Sequence, residues 1–251
     1  MTDSVIALQP AFILQQRQFK ESSLLLDVLT RDYGLIVVLA KGVRKSKSKT
    51  SGLLRPFQPL LLSCRGKGEL LLLTHVELLD ALQVLQGLPL YCAFYLNELI
   101  LSFLSRFDAF PEVYADYAAS LTLLASLDAP SKTSASLDAT AETLTVERVL
   151  RNFELNLMLH IGYAIPIQHE ARAQQPIKSS SHYCFHPEQG LIEHPEGKLK
   201  GSVLQAIAAR ELYHVEVLQV AKQIMRSVID FHLQGRPLKS RAVISKIYQQ
   251  L

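Results

Sequence analysis

The first eighty residues alternate short apolar runs with turn residues. Ala11 to Phe19, Ser22 to Thr30, Gly34 to Lys41, Pro59 to Arg65 and Glu69 to Val76 are rich in Leu, Val and Ile and are bounded by turn formers, which predicts five strands. Asp32-Tyr33-Gly34 and Gly66-Lys67-Gly68 predict tight hairpin connections, where Gly supplies positive φ. Only the link from Lys41 to Pro59 is long. Five strands with one long connection between the third and fourth match the OB-fold, a five-stranded barrel whose open face and loops hold oligonucleotides. A small barrel of another kind fits the same pattern.

Beyond Gly87-Leu88-Pro89 the period becomes helical. Leu90, Phe94, Glu98 and Leu101 share one stripe and Leu96, Ile100, Phe103 and Leu104 the next, so the helix is apolar around most of its circumference and central in a bundle. A second helix follows Pro111 and fades near Leu127, and Ser126 to Thr145 reads as an exposed loop without apolar period. Thr145 then caps a third helix, with Glu147 in its first turn and Gly162 as its stop. From Tyr163 to Gly197 the chain reads as irregular, interrupted by Pro166, Pro176, Pro187 and Pro195. Ser202 to Leu212, Val215 to Leu233 and Lys239 to Tyr248 predict three more helices. The expected class is α+β: an OB-fold barrel over residues 1–80, then a mostly helical domain over 81–251 with an irregular segment at about 163–200.

Charge sharpens this picture. Lys and Arg outnumber Asp and Glu by 26 to 23, yet residues 1–80 carry +4, 81–150 carry −5 and 151–251 carry +4. Two basic segments flanking an acidic one point to an anionic partner that touches part of the surface, nucleic acid first. The 3 cysteines, Cys64, Cys92 and Cys184, are too few and too scattered for a disulfide framework and indicate a reducing compartment. With no secretory signal, and with the apolar stretch from Leu88 to Leu104 broken by Asn97 and Glu98, the expected location is the cytoplasm, on the nucleoid, with no membrane contact.

Catalytic motifs are lacking. Gly66-Lys67-Gly68 is too short for a phosphate loop and leads into a strand, and neither a nucleophile elbow nor His-Glu-x-x-His occurs, so no enzyme and no cofactor are expected. His169, His182, Cys184, His186 and His194 cluster within the irregular segment, but alternation along a strand gives His182-x-Cys184-x-His186 no fixed turn beneath a metal. They read as loop histidines, and no metal is expected.

The densest local pattern is Lys41-Gly42-Val43-Arg44-Lys45-Ser46-Lys47-Ser48-Lys49, where 5 cations fall among 9 residues without an acid. Such crowding is relieved by an anion, and small spacers let the backbone follow a phosphate chain; the plainer alternative is a solvated loop. Lys41, Arg44, Lys45, Lys47 and Lys49 are therefore the candidate phosphate contacts, extended by Arg65 and Lys67 at the neighbouring hairpin. Phe12, Phe19, Tyr33 and Phe57 could offer stacking surfaces, and each also suits a core. Lys239 and Arg241 start the last helix, where cations oppose the dipole unless an anion compensates; DNA or an acid from the 81–150 segment would serve.

Ala40-Lys41-Gly42-Val43-Arg44, Leu54-Arg55-Pro56-Phe57-Gln58-Pro59-Leu60, Gly66-Lys67-Gly68-Glu69, Tyr95-Leu96-Asn97-Glu98-Leu99, Leu150-Arg151-Asn152-Phe153-Glu154-Leu155 and Gly235-Arg236-Pro237-Leu238-Lys239-Ser240-Arg241 occur in an order that resembles the bacterial RecO family of DNA repair proteins. The resemblance covers nearly the whole chain. It implies a recombination mediator without a catalytic site that binds single- and double-stranded DNA, anneals complementary strands and acts with RecR to load RecA onto DNA coated by single-stranded-DNA-binding protein. It also implies that Arg151 receives the acidic C-terminal tail of that coating protein, whereas helix spacing alone allows Arg151 to pair with Glu147. Many members carry a four-cysteine zinc site after the turn that reads Ile161-Gly162-Tyr163 here; this chain has His169, Arg172 and His194 in that register, so the site looks lost. An RNA-binding OB-fold module, or a scaffold whose basic loop takes an acidic protein tail, are the other functions this sequence allows.

Overall fold

The structure is a computed structural model that describes residues 4–45, 50–80, 84–128 and 139–248. It forms two compact units, Met1–Ala129 with Leu238–Leu251, and Pro130–Pro237.

The first unit contains the barrel. Strands β1 (Ser4–Phe19), β2 (Ser23–Thr30), β3 (Gly34–Ala40), β4 (Leu60–Gly66) and β5 (Leu70–Leu78) close in the order β1-β2-β3-β5-β4. The long β1 serves both edges, pairing β4 through Ser4–Ala11 and β2 through Ala11–Phe19. Residues β3 Val37–Leu39 and β5 Leu70–Leu72 run parallel, which completes the OB-fold topology. Alternation sends Ile13, Leu26, Val28, Ile36, Val38, Leu60, Leu62 and Leu71 into an apolar interior.

Closing five strands requires bends, and bulges supply them. One lies in β1 between Ile6 and Gln9, and there the Leu8 amide donates to Ser63 Oγ at 3.0 Å. Another lies between Ser63 and Cys64 against β5, where Thr74 Oγ1 donates to the Ser63 carbonyl at 3.0 Å. A third breaks the β1–β2 register between Ile13 and Gln15 and leaves the Leu14 carbonyl outside the ladder.

Among the described residues six helices follow: α1 (Gly87–Phe103), α2 (Pro111–Asp128), α3 (Ala139–His160), α4 (Gly201–Ala208), α5 (Val215–His232) and α6 (Lys239–Tyr248). Asn97, buried on α1, donates through Nδ2 to the Leu14 carbonyl at 2.7 Å and accepts the Tyr117 hydroxyl of α2 at 2.6 Å. Burial pushes the Tyr117 phenol well above its ordinary pKa, so it stays the donor. Phe12 projects from the outside of β1 onto Tyr114 and Tyr117, with ring centroids 5.3 and 5.1 Å apart. The α1–α2 connection presses on the β2–β3 hairpin, where the Phe107 amide donates to the Leu35 carbonyl at 3.0 Å. Gly34 sits beneath it at φ 65°, and a Cβ there would lie 1.8 Å from the Asp108 carbonyl oxygen.

The second unit holds α3, α4, α5 and a three-stranded sheet ordered β7 (Gly190–Glu193), β6 (His182–His186), β8 (Leu199–Lys200). Val217, Leu218, Ala221, Ile224, Met225, Val228 and Ile229 form the buried stripe of α5 at helical spacing. Two expectations change here. The 163–200 segment carries this sheet rather than being irregular throughout. Helix α2 runs to Asp128 and helix α3 begins at Ala139, so Thr145 and Glu147 lie inside α3 instead of capping it, and of the exposed loop expected over 126–145 both ends are helical while 129–138 lie outside the described residues. Its C-terminus agrees with expectation: Gly162 at φ 81° lets the Tyr163 amide reach the Met158 carbonyl at 2.8 Å and its own amide reach Leu159 at 3.2 Å, a Schellman stop.

Replacing Tyr117 by Phe leaves the buried Asn97 oxygen without its donor and should lower the unfolding free energy by about 1–3 kcal/mol. Asn97→Ala removes both the donor to the Leu14 carbonyl and the acceptor of the Tyr117 hydroxyl and should cost more. Urea titration compares the three proteins, and a neutral Asn97→Ala would show that the bulge needs no partner.

Candidate nucleic-acid interface

The long β3–β4 connection is pinned at both ends by apolar side chains. Val43 and Leu54 are buried in the barrel core and so anchor the two described legs of this spur. Lys41, Arg44 and Lys45 are exposed on its outgoing leg, while Lys47 and Lys49 lie outside the described residues. The Arg44 amide donates to the Ser22 carbonyl at 3.0 Å and its guanidinium to the Lys20 carbonyl at 3.2 Å, which ties the spur to the β1–β2 hairpin.

Strand register then brings in residues distant in sequence. Arg17 pairs with Leu25, Leu25 with Leu39, Leu39 with Leu72, Leu72 with Arg65 and Arg65 with Val5, giving one outward-facing belt around the barrel. Three half-buried leucines thus lie between two exposed arginines. Lys41 follows Leu39 by two residues on the same face. Lys41 and Arg65, with Val5, Leu39, Gly66 and Leu70 to Leu72, line an open concavity of about 450 Å³. Lys67 is exposed at the hairpin that leaves it. An apolar floor with cations at its rim can hold a phosphate chain while apolar parts of the ligand meet the leucines. Arg17 is engaged elsewhere, 2.9 Å from the buried Asp27 carboxylate, which Arg106 approaches at 3.6 Å.

The remaining candidates meet other partners. At the start of α6 the Lys239 and Ser240 amides donate to the two Glu98 carboxylate oxygens at 2.8 and 2.9 Å, so an acid from the 81–150 segment occupies the helix N-terminus. Lys239 is exposed, and Arg241 is half-buried 5.9 Å from the Tyr95 ring centroid. In the second unit the Arg151 guanidinium is buried 2.6 Å from Glu154 and 3.5 Å from Glu147, and Glu147 also takes Lys222 of α5 at 2.6 Å. The pairing with Glu147 that helix spacing allows is thus formed, and Glu154 adds a second carboxylate.

His182, Cys184 and His186 share strand β6, with both histidines exposed and Cys184 half-buried. His194 Nδ1 accepts the Glu196 amide at 3.1 Å, and His169 forms an isolated bridge with Pro176. Among the described residues no group of three or more His, Cys, Asp or Glu side chains is placed to hold a metal. Burial pushes the Cys64 thiol up to about 11, which keeps it protonated and unreactive. No helix of the described residues is long and apolar enough to cross a membrane.

Two family models match: recombination protein O N terminal over residues 4–82 and recombination protein O C terminal over residues 85–242. Similar curated proteins named DNA repair protein RecO include that of Nitrosococcus oceani, 37% identical over 96% of this chain and 94% of the relative. That of Polynucleobacter necessarius is 36% identical over 95% and 96%, and that of Cellvibrio japonicus 37% identical over 96% and 97%.

Removing Arg151 strips a buried cation from two carboxylates. Arg151→Ala should lower the unfolding free energy by about 3–5 kcal/mol, read by urea titration, because Glu154 is left charged and buried. A change under about 1 kcal/mol would mean that water reaches the pair. Elemental analysis of protein purified without added metal should find well under one zinc per chain, and one tightly held zinc would overturn the reading of the His169–His194 segment.

Proposed function

This chain belongs to the RecO family of DNA repair proteins, and we propose that it is a recombination mediator rather than an enzyme. In this reading it binds single- and double-stranded DNA on the OB-fold barrel, anneals complementary strands and, with RecR, loads RecA onto DNA coated by single-stranded-DNA-binding protein in the cytoplasm, at the nucleoid. The observation that carries the DNA-binding part is the convergence of Lys41, Arg44, Lys45, Arg65 and Lys67 on the end of the barrel where β3 and β5 run parallel. All five are exposed, so they keep their hydration until a polyanion replaces it and its counterions leave. Lys47 and Lys49 extend the same run in sequence. Annealing asks for a surface that neutralises two backbones without reading bases, and a cationic rim around an aliphatic floor meets that demand.

Lys239 and Arg241 join the DNA path in this proposal as outer contacts. The amides beside them are satisfied by Glu98, so their part is charge rather than a helix-terminus pocket. The acidic tail of single-stranded-DNA-binding protein is assigned to the surface around Arg151. For an outside carboxylate to reach that guanidinium, Glu147 has to swing away; its contact is the longer of the two, and Lys222 can hold it once displaced.

If about five phosphates are neutralised, the logarithm of the association constant for a single-stranded oligonucleotide should fall against the logarithm of salt with a slope of about −3.5. Arg44→Ala with Lys45→Ala should flatten the slope to about −2, measured by fluorescence anisotropy of a labelled oligonucleotide across a salt series. An unchanged slope in the folded double variant removes this spur from the DNA path.

A further inference from the structure

The return leg of the spur carries a feature that the cations do not explain. Phe57 has a φ of 69°, a left-handed backbone that bulky side chains seldom adopt and that persists only where the surroundings hold it. Leu54, buried three residues earlier, and Leu60, buried three residues later, anchor the segment on either side. The Phe57 ring is half-buried and meets Phe94 of α1 edge-on, with centroids 4.9 Å apart and planes at 75°. Phe94 is 43% exposed, and Tyr91, one turn earlier on the same helix face, is 39% exposed. Helix α1, whose other apolar residues are buried or half-buried, thus shows two aromatic rings on its outer side, and one of them, Phe94, meets the one aromatic residue of the spur.

One neighbour gives this patch a chemical direction. Arg55 is exposed two residues before Phe57. Aromatic rings and a cation thus sit close together on a connection whose sequence opens with the densest basic run of the chain. A nucleobase presents a π-face and is joined to phosphates, so it answers both groups. An apolar peptide would answer the rings alone.

We propose that Phe57 and Phe94 form a stacking platform for an unpaired base of single-stranded DNA, with Arg55 taking an adjoining phosphate. The inference rests on the DNA-binding reading above and deepens it to a single-strand contact outside the groove between Lys41 and Arg65. Duplex DNA keeps its bases stacked internally and gains nothing from the rings, so the platform distinguishes strand forms where cations alone do not.

The chain has no tryptophan, so Phe94→Trp gives the protein a single indole reporter. Anisotropy of a labelled oligo-dT reports binding while indole emission reports stacking in the same sample. Emission should be quenched in step with oligo-dT binding and stay unchanged when a labelled duplex of equal length binds. Phe94→Leu keeps an apolar contact for Phe57 but loses the π-face; it should weaken oligo-dT binding by about tenfold with an unchanged salt slope and unchanged duplex affinity. Oligo-dT that binds fully without quenching, or quenching of equal size by the duplex, overturns the platform and leaves the broader DNA-binding reading standing. Absence of binding by either DNA overturns both. Thermal melting identifies a Phe94→Leu protein that has lost its fold, in which case the Phe94→Trp result decides alone.

Discussion

The Leu14 carbonyl falls at a break in the barrel's hydrogen-bond ladder, and Asn97 satisfies it from a helix packed outside the barrel. The break is a requirement of closure, since β1 must bend to pair β2 with one half and β4 with the other. A carbonyl stranded there without water costs about 1–3 kcal/mol unless a donor arrives. Asn97 can give one only because the Tyr117 hydroxyl holds its amide oxygen and so fixes which way the amide faces. Phe12, on the outer side of β1, packs on Tyr117 and seals the site. One unmade ladder bond thereby ties α1 and α2 to the outer side of β1. The opposite end of the barrel, where β3 meets β5, stays open, and the spur cations gather there.

That constraint marks the limit of what the sequence shows. The strands are legible because alternation and the hairpin glycines Gly34 and Gly68 are local, and both glycines adopt the positive φ their turns demand. Asn97 reads in sequence only as an interruption of an apolar run, because its partner lies 83 residues away. The early start of helix α3 is hard to read because Ala139 to Thr145 has no apolar period, although its Ala and Glu favour a helix. The sheet of the second unit was hidden by Pro187 and Pro195, which flank strands of four or five residues and mark turns rather than disorder of the segment.

The candidate interface divides in the same way. The basic run is a matter of composition and is plain in the sequence. That Arg65 joins Lys41 depends on the parallel β3–β5 register, a long-range pairing that no local pattern announces. Glu98 illustrates the converse, since its stripe position suggested helix packing while its carboxylate caps α6 across a separation of 141 residues. Phe57 looked like a core aromatic because aromatic side chains usually are, and only its backbone conformation and its half-exposed ring separate it from Phe12.

Burial sorts the cations by the anion each one meets. Arg151 is nearly out of water, and Glu154 and Glu147 beside it make its charge tolerable; such an ion pair tends to fix geometry more than it adds stability. Lys222 reaches the same Glu147 from α5, so the second unit uses these charges to register two of its own helices. Arg17 and Arg106 likewise attend the buried Asp27. The spur has no such acid in its run from Lys41 to Lys49, and its described cations are exposed. Exposed cations cost little to keep hydrated, and they release counterions when a polyanion arrives. A chain whose net charge is only +3 can therefore present a strongly cationic surface, because acids are matched to cations where the fold needs them and left out of the segment that faces a ligand.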